Sequence, residues 1–185
     1  MIEPTSLRAP ALLIAVPQLA DPNFSRTVVL LIEHSEDGSM GIIMNKPLEI
    51  DIGDFCASQE LSFDGDATES IYQGGPVQVD RAFILHGSDQ EGPETETVLN
   101  DVRLSYSLES LNILVESPPD RLRIFLGYAG WGEGQLVDEI TSGAWLVCNA
   151  ADDLIFASEP EFLWEQALRR MGIEPAQLMH SSATH

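Results

Sequence analysis

Hydrophobic and polar positions fall into short blocks with two different periods. Residues 11–16 are wholly apolar and closed by Pro17, which predicts a strand buried on both faces. Residues 26–34 (RTVVLLIEH) are β-branched and apolar, Asp37-Gly38 supplies a turn, and residues 40–44 return as a second run, so a β-hairpin is expected there. Asn45-Lys46-Pro47 ends it, because proline has no N–H for a ladder. Further strands are expected at 71–73, which runs into a Gly74-Gly75-Pro76-Val77 bend, at 82–86, at 122–128 and at 144–148, with a shorter apolar piece at 154–157.

A helical period shows in fewer places. Residues 52–57 form a short helix that turns Phe55 and Cys56 inward, and residues 135–140 form another directly after a glycine-rich loop. Ser107 caps a helix whose Leu108, Leu111, Leu114 and Val115 share one face, and Pro118-Pro119 stop it. Near the end, Ser158-x-x-Glu161 reads as a capping box, Leu163, Trp164, Ala167, Leu168 and Met171 make an apolar stripe, and Gly172 closes the helix. Residues 59–70 and 87–101 are polar and acidic without a period, which predicts exposed loops. Strands outnumber helices and do not alternate with them. The expected class is therefore α+β, one domain over residues 1–173 with a polar, flexible tail at 174–185.

Composition narrows the function. The 185 residues, 44% of them hydrophobic, are enough for one substantial core. Nine Lys+Arg against thirty Asp+Glu give a formal charge of -21, which argues against broad contact with a phosphate backbone. No local basic patch offsets it, so no direct nucleic-acid partner is expected. Cys56 and Cys148 stand apart from each other and from histidine, as expected of reduced, buried thiols in a cytoplasmic protein. The first residues lack a signal-peptide pattern, and the run at 11–16 is too short to span a bilayer, so no membrane partner is expected.

Candidate chemistry concentrates in LGYAGWGEGQLVDEI (126–140). Gly127, Gly130, Gly132 and Gly134 around Tyr128 and Trp131 imply a tightly specified loop. It lacks the order of a GxGxxG or a GK[ST] motif, and Glu133, Asp138 and Glu139 oppose phosphate at the following helix start. No cofactor is called for. His34, His86, His180 and His185 never fall at metal-ligand spacing, so no metal is expected. His86 ends a strand beside Gly87, where a side chain can face a cleft or simply be a hydrogen-bonded structural residue. Lys46 at a strand end is either a surface lysine or a ligand for an anion or a carbonyl oxygen. Gln135 and Glu139, one helical turn apart, project from the same face.

Taken in order, DPNF (21–24), Glu33-His34, GIIMNKP (41–47), QGGPV (73–77), ILHG (84–87), GYAGWGEGQLVDEI (127–140) and Trp145 resemble the AlgH/YqgE family of bacterial proteins over about residues 12–172. Lys46 stands where many relatives carry arginine. The resemblance implies an α+β fold built on a discontinuous antiparallel β-barrel or mixed sheet with flanking helices. It implies no settled activity, although the label of transcriptional regulator is attached to the family. With no helix-turn-helix pattern and the wrong sign of charge, any regulatory role is expected to be indirect.

The leading expectation is a non-catalytic, cytoplasmic module whose motifs line one cleft for a small molecule or a partner segment. Its ligand-binding candidates are Asn45, Lys46, Gly74, Gly75, Pro76, His86, Gly127, Tyr128, Gly130, Trp131 and Gln135. The rival is a small-substrate hydrolase or transferase with His86 or Glu139 as base and the glycine-loop amides as oxyanion donors.

Overall fold

A computed structural model of the chain describes residues 6–19, 21–156 and 159–181. Two compact units are present: residues 1–46 with 129–185, and residues 47–128.

In the first unit the all-apolar run becomes β1 (Ala11–Ala15), buried along its whole length because it lies between two other strands. The expected hairpin forms as β2 (Val28–Ser35) and β3 (Gly38–Ile43), paired antiparallel from Val29↔Ile43 down to Ser35↔Gly38. β3 pairs through Ser39, Met40 and Gly41 with Trp131, Gly130 and Ala129, the end of the long strand β9 (Leu122–Trp131). β1 pairs on its other side with β10 (Trp145–Asn149). The order is thus β10-β1-β2-β3-β9. Between β9 and β10 lies the helix α3 (Gln135–Thr141).

Five flat strands would hold the outer two about 19 Å apart at ~4.8 Å per strand. Yet the rings of Trp131 on β9 and Trp145 on β10 lie with centroids 6.0 Å apart, edge to face, and Phe24 packs on both. The sheet of this unit is therefore strongly curled, and its inner face holds Leu13, Ala15, Val29, Leu31, Ile43 and Val147 with the two tryptophans. The C-terminal stripe forms α5 (Leu163–Arg170), with Leu163, Trp164, Ala167 and Leu168 buried and the Trp164 indole donating to Ala15 O at 2.8 Å. Ser158 of the expected capping box lies outside the described residues, as does Ala157; residues 154–155 belong instead to a one-turn helix. The polar tail carries a helix at Pro175–Ser181.

The second unit contains β4 (Pro47–Asp51), α1 (Ile52–Ser58), β5 (Ser70–Gln73), β6 (Val77–Gly87), β7 (Thr95–Leu99), β8 (Val102–Ser105), α2 (Leu108–Glu116) and the first part of β9. β6 lies between β9 and β8, with β7 outside β8; on the other side β9 takes β5 in parallel, and β5 takes β4. Ser107 caps α2 through Ser110 N, as expected, and Asp51 caps α1 through Asp54 N. Leu111, Leu114 and Val115 of α2 enter the core with Ile84 and Ile124, whereas Leu108 is 66% exposed, against expectation. It is the first residue of the helix, one turn before Leu111 on the same stripe.

Three expectations need correcting. Residues 95–99 are not loop but the edge strand β7, whose polar, acidic TETVL has no apolar alternation to reveal the ladder it makes. Pro47 does not only end a hairpin; it opens β4, at the first strand position where a missing N–H is tolerated. Gly127 and Gly130 are strand residues, and only the stretch after Trp131 is loop. The class is nonetheless α+β, antiparallel apart from one parallel pair, with helices against the sheets.

Gly127 has φ +76, and a Cβ there would overlap the carbonyl oxygen of Gly75. Gly143 has a similar φ of +84 with nothing near its missing side chain. Both alanine substitutions therefore carry the left-handed strain of about 1–2 kcal/mol, and only Gly127→Ala adds a backbone collision. Urea unfolding is expected to place Gly127→Ala at least ~2 kcal/mol below Gly143→Ala; equal costs would mean that the close approach of these two backbones is not real.

Candidate functional site

In the first unit the motif residues are tied to one another. Asn45 Oδ1 accepts from Val28 N at 2.9 Å, and its Nδ2 donates to Arg26 O at 2.9 Å, so its amide staples the entry to β2. Lys46 Nζ donates to Pro22 O at 3.4 Å and to Asn23 O. Of the options for Lys46, binding a carbonyl oxygen is the one found, but the carbonyls are the chain's own. Burial holds its ammonium below the usual lysine range, against the opposing pull of Asp21. DPNF and NKP thus form one locked corner.

Glu139 on α3 is half-buried and fully engaged. Its Oε2 accepts from Trp131 Nε1 at 2.7 Å and Trp145 Nε1 at 3.0 Å, and its Oε1 accepts from Gln135 Nε2 at 3.2 Å. Gln135 Oε1 in turn accepts from Gly132 N at 3.0 Å. A loop amide offered as an oxyanion donor is therefore already used, and so is the carboxylate offered as a base. Gly130 lies in the ladder opposite Met40.

Next to this network a groove of about 410 Å³ opens between the hairpin tip and the start of α3. His34, Ser35, Glu36 and Ser39 line it from the hairpin. Gly132, Glu133 and Gly134, with Leu136, Val137 and Asp138, line it from the other side. His34 Nδ1 is paired with Ser39 Oγ at 2.7 Å. Among the described residues, Glu36, Glu133 and Asp138 form no ion pair. Of these lining residues, Gly132 and Gly134 were candidates only through their loop amides, and none of the side chains was a site candidate in the sequence; the signal was present in the Glu33-His34 strand end and the tight Asp37-Gly38 turn.

In the second unit, Gly74 N donates to Leu126 O at 2.7 Å, and Val77 pairs with Tyr128, so Gly74, Gly75, Gly127 and Tyr128 do meet. What they make is a packed bend: the Tyr128 ring lies 5.9 Å from Phe83, and Gly74 and Gly75 are buried. Pro76 beside them is exposed. His86 is not there. It pairs with Leu122, six residues along β9 from Tyr128, or roughly 20 Å at ~3.3 Å per residue. Nor does it face a cleft. It is 0% exposed, with Nδ1 paired to Gly87 O at 2.8 Å and Nε2 to Ser105 Oγ at 2.9 Å, so neither nitrogen is available to a substrate. Burial holds His86 below the ordinary histidine value, and Arg103 adds to this.

Among the described residues, no three His, Cys, Asp or Glu side chains are placed to hold a metal ion, and no helix is long and apolar enough to cross a membrane. Cys56 and Cys148 are free and buried.

The model of a family described as AlgH-like matches residues 12–176. The chain belongs to this AlgH-like family. A UPF0301 protein of Myxococcus xanthus is 46% identical over 172 residues, covering 92% of this chain and 94% of the relative. One from Marinomonas is 40% identical over 169 residues, 90% of each chain. The solution structure of the AlgH protein from Pseudomonas aeruginosa superposes with a TM-score of 0.74 at 36% identity, covering 91% of both chains. A Corynebacterium diphtheriae crystal structure shares the fold, with a TM-score of 0.72 at 21% identity over 93% of this chain and 91% of that one. The AlgH-like motifs of this chain thus have structural tasks: a stapled corner, a glycine contact, a buried histidine and a carboxylate shared by two indoles.

The buried His86 sets a pH dependence. Its folded pKa is below its unfolded one, so the unfolded chain takes up the proton first. The His86 contribution to stability is complete above the ordinary value of about 6.5 and is lost as pH falls below it. Relative to His86→Asn, the wild type is expected to lose stability between about pH 6.5 and 5.5 with a slope of up to ~1.4 kcal/mol per pH unit. Denaturant titrations with parallel pH profiles would show that His86 is not sealed.

Proposed function

We propose that this AlgH-like chain is a non-catalytic, cytoplasmic binding module, a single domain over residues 1–173. Its groove between the hairpin tip and the glycine loop takes a positively charged group on a small molecule or partner segment. The observation that carries this is the groove itself: about 410 Å³, within the ~300–1,000 Å³ range of ligand sites, walled by the unpaired Glu36, Glu133 and Asp138 with Leu136 and Val137 between them. A formal charge of -21 steers cations toward it and polyanions away. The non-catalytic part is supported by His86 and Glu139, whose polar atoms are all engaged within the fold. Two free buried thiols favour a reducing compartment. A regulatory role, on this reading, runs through the bound partner and not through DNA.

NMR titration with spermidine and with a short Lys/Arg-rich peptide tests the groove. Saturable shifts are expected at His34, Ser39, Gly132, Gly134 and Val137, weakened about tenfold or more by Glu133→Gln with Asp138→Asn and by raised salt. Shifts scattered over the acidic surface, or unchanged affinity in the double variant, would contradict the proposal.

A further inference from the structure

The second unit holds a separate recess of about 220 Å³ whose chemistry has the opposite sign. Phe55 of α1, Ala82 of β6, and Leu108 and Leu111 of α2 give it an apolar wall. Arg81 stands at its edge. The register of β6 slips between Val77 and Ala82, so residues 78–81 leave the ladder, and a bulge of this kind re-aims the side chains it carries. The Arg81 guanidinium carbon lies 5.2 Å from the Phe83 ring centroid and 5.6 Å from that of Tyr106. Tyr106 is itself held by its hydroxyl, which donates to Glu96 Oε1 at 3.0 Å. The charged head is thus positioned by two rings and not by a carboxylate.

Among the described residues, no acid lies within ion-pair distance of Arg81, although the chain carries thirty Asp+Glu. Its one hydrogen bond is to Gln78 Oε1 at 3.4 Å, which leaves most of the five N–H donors of a guanidinium unused. A planar fork of donors beside an apolar wall matches a carboxylate attached to a small hydrophobic body. The geometry points to a binding site for a small apolar monocarboxylate, one with a single ring or branched chain, whose carboxylate takes the Arg81 fork while its body lies against Phe55, Leu108 and Leu111. The size fits, since the recess is below the ~300 Å³ at which drug-sized sites begin. The charge of the whole chain also selects: a monoanion meets one guanidinium, while a polyanion meets the surrounding field. Asp80 is the one acidic side chain on the wall, and it weakens the site. This ligand is opposite in charge to that of the acidic groove and touches none of its residues, so either proposal can fail alone.

The probe is phenylacetate, with phenylacetamide as the neutral isostere, followed by calorimetry and by NMR of the full chain. Phenylacetate is expected to give saturable shifts at the Arg81 Nε–H and at Leu108 and Leu111, with the amide at least about tenfold weaker. Arg81→Gln should lose about tenfold, Arg81→Lys should fall between, and Asp80→Asn should bind more tightly than the wild type. Arg81 is exposed, so its variants are expected to keep the wild-type Tm. Leu108→Asp, at a position already 66% exposed, tests the same recess without touching Arg81 and should also abolish binding. The site is refuted if no saturable shift occurs, if the amide binds as well as the acid, or if both Arg81→Gln and Leu108→Asp bind like the wild type.

Discussion

A single carboxylate oxygen, Oε2 of Glu139, accepts hydrogen bonds from two indole N–H groups, one on β9 and one on β10. These strands are the two ends of a five-strand order, so the bond pair spans the open side of a curled sheet. A carboxylate acceptor roughly doubles the strength of each hydrogen bond, and removing it would leave the donors of two buried tryptophans unpaired at about 1–3 kcal/mol each. Gln135 completes the network by linking the other carboxylate oxygen to the Gly132 amide. The spacing in GWGEGQLVDE follows from this: a strand end carrying Trp131, a short glycine turn, and one helical turn from Gln135 to Glu139. The groove lies between this turn, the start of α3 and the hairpin tip.

The same economy appears at the other polar motif residues of the chain. Lys46 and Asn45 resemble ligand-binding residues, yet they satisfy the backbone of the loop that leads into β2. His86, which is fully buried, bridges the end of its own strand to Ser105 of β8. Polar groups placed inside a fold must find partners, and here they find them within the chain. Among the described residues, acidic side chains surround a groove in one unit, and one guanidinium stands beside an apolar recess in the other.

Much of the fold was legible because local rules and tertiary packing agree. β1 read as buried because every residue of it is apolar; the hairpin read from β-branched runs around Asp37-Gly38; α2 read from its cap and stripe, and α5 from its stripe. β4 and β7 were hidden, since an edge strand rich in Glu and one that opens on proline carry no period-two signal. The glycines of β9 read as loop, because a glycine needed for backbone contact looks the same in sequence as one needed for a turn. The candidate site was half legible. The motif stretches that border the groove were identified, but their side chains were assigned outward roles. Whether Glu139 faces solvent or two indoles depends on the curl of the sheet, which brings together Trp131 and Trp145 from opposite ends of the strand order. No spacing along the chain encodes that directly. Likewise His86 and Tyr128 share the β6–β9 ladder but sit at its two ends, a separation fixed by register alone.

The most direct test is the solvent exchange and chemical shift of the two indole N–H protons, read by NMR in the wild type and in Glu139→Gln. A shared carboxylate predicts that the Trp131 and Trp145 signals are both slow to exchange, and that the substitution shifts and deprotects both together while the Gly132 amide broadens. If either indole exchanges as freely as a solvent-exposed tryptophan, or if the substitution moves one and leaves the other unchanged, Glu139 does not close the curled sheet and the groove has lost its support.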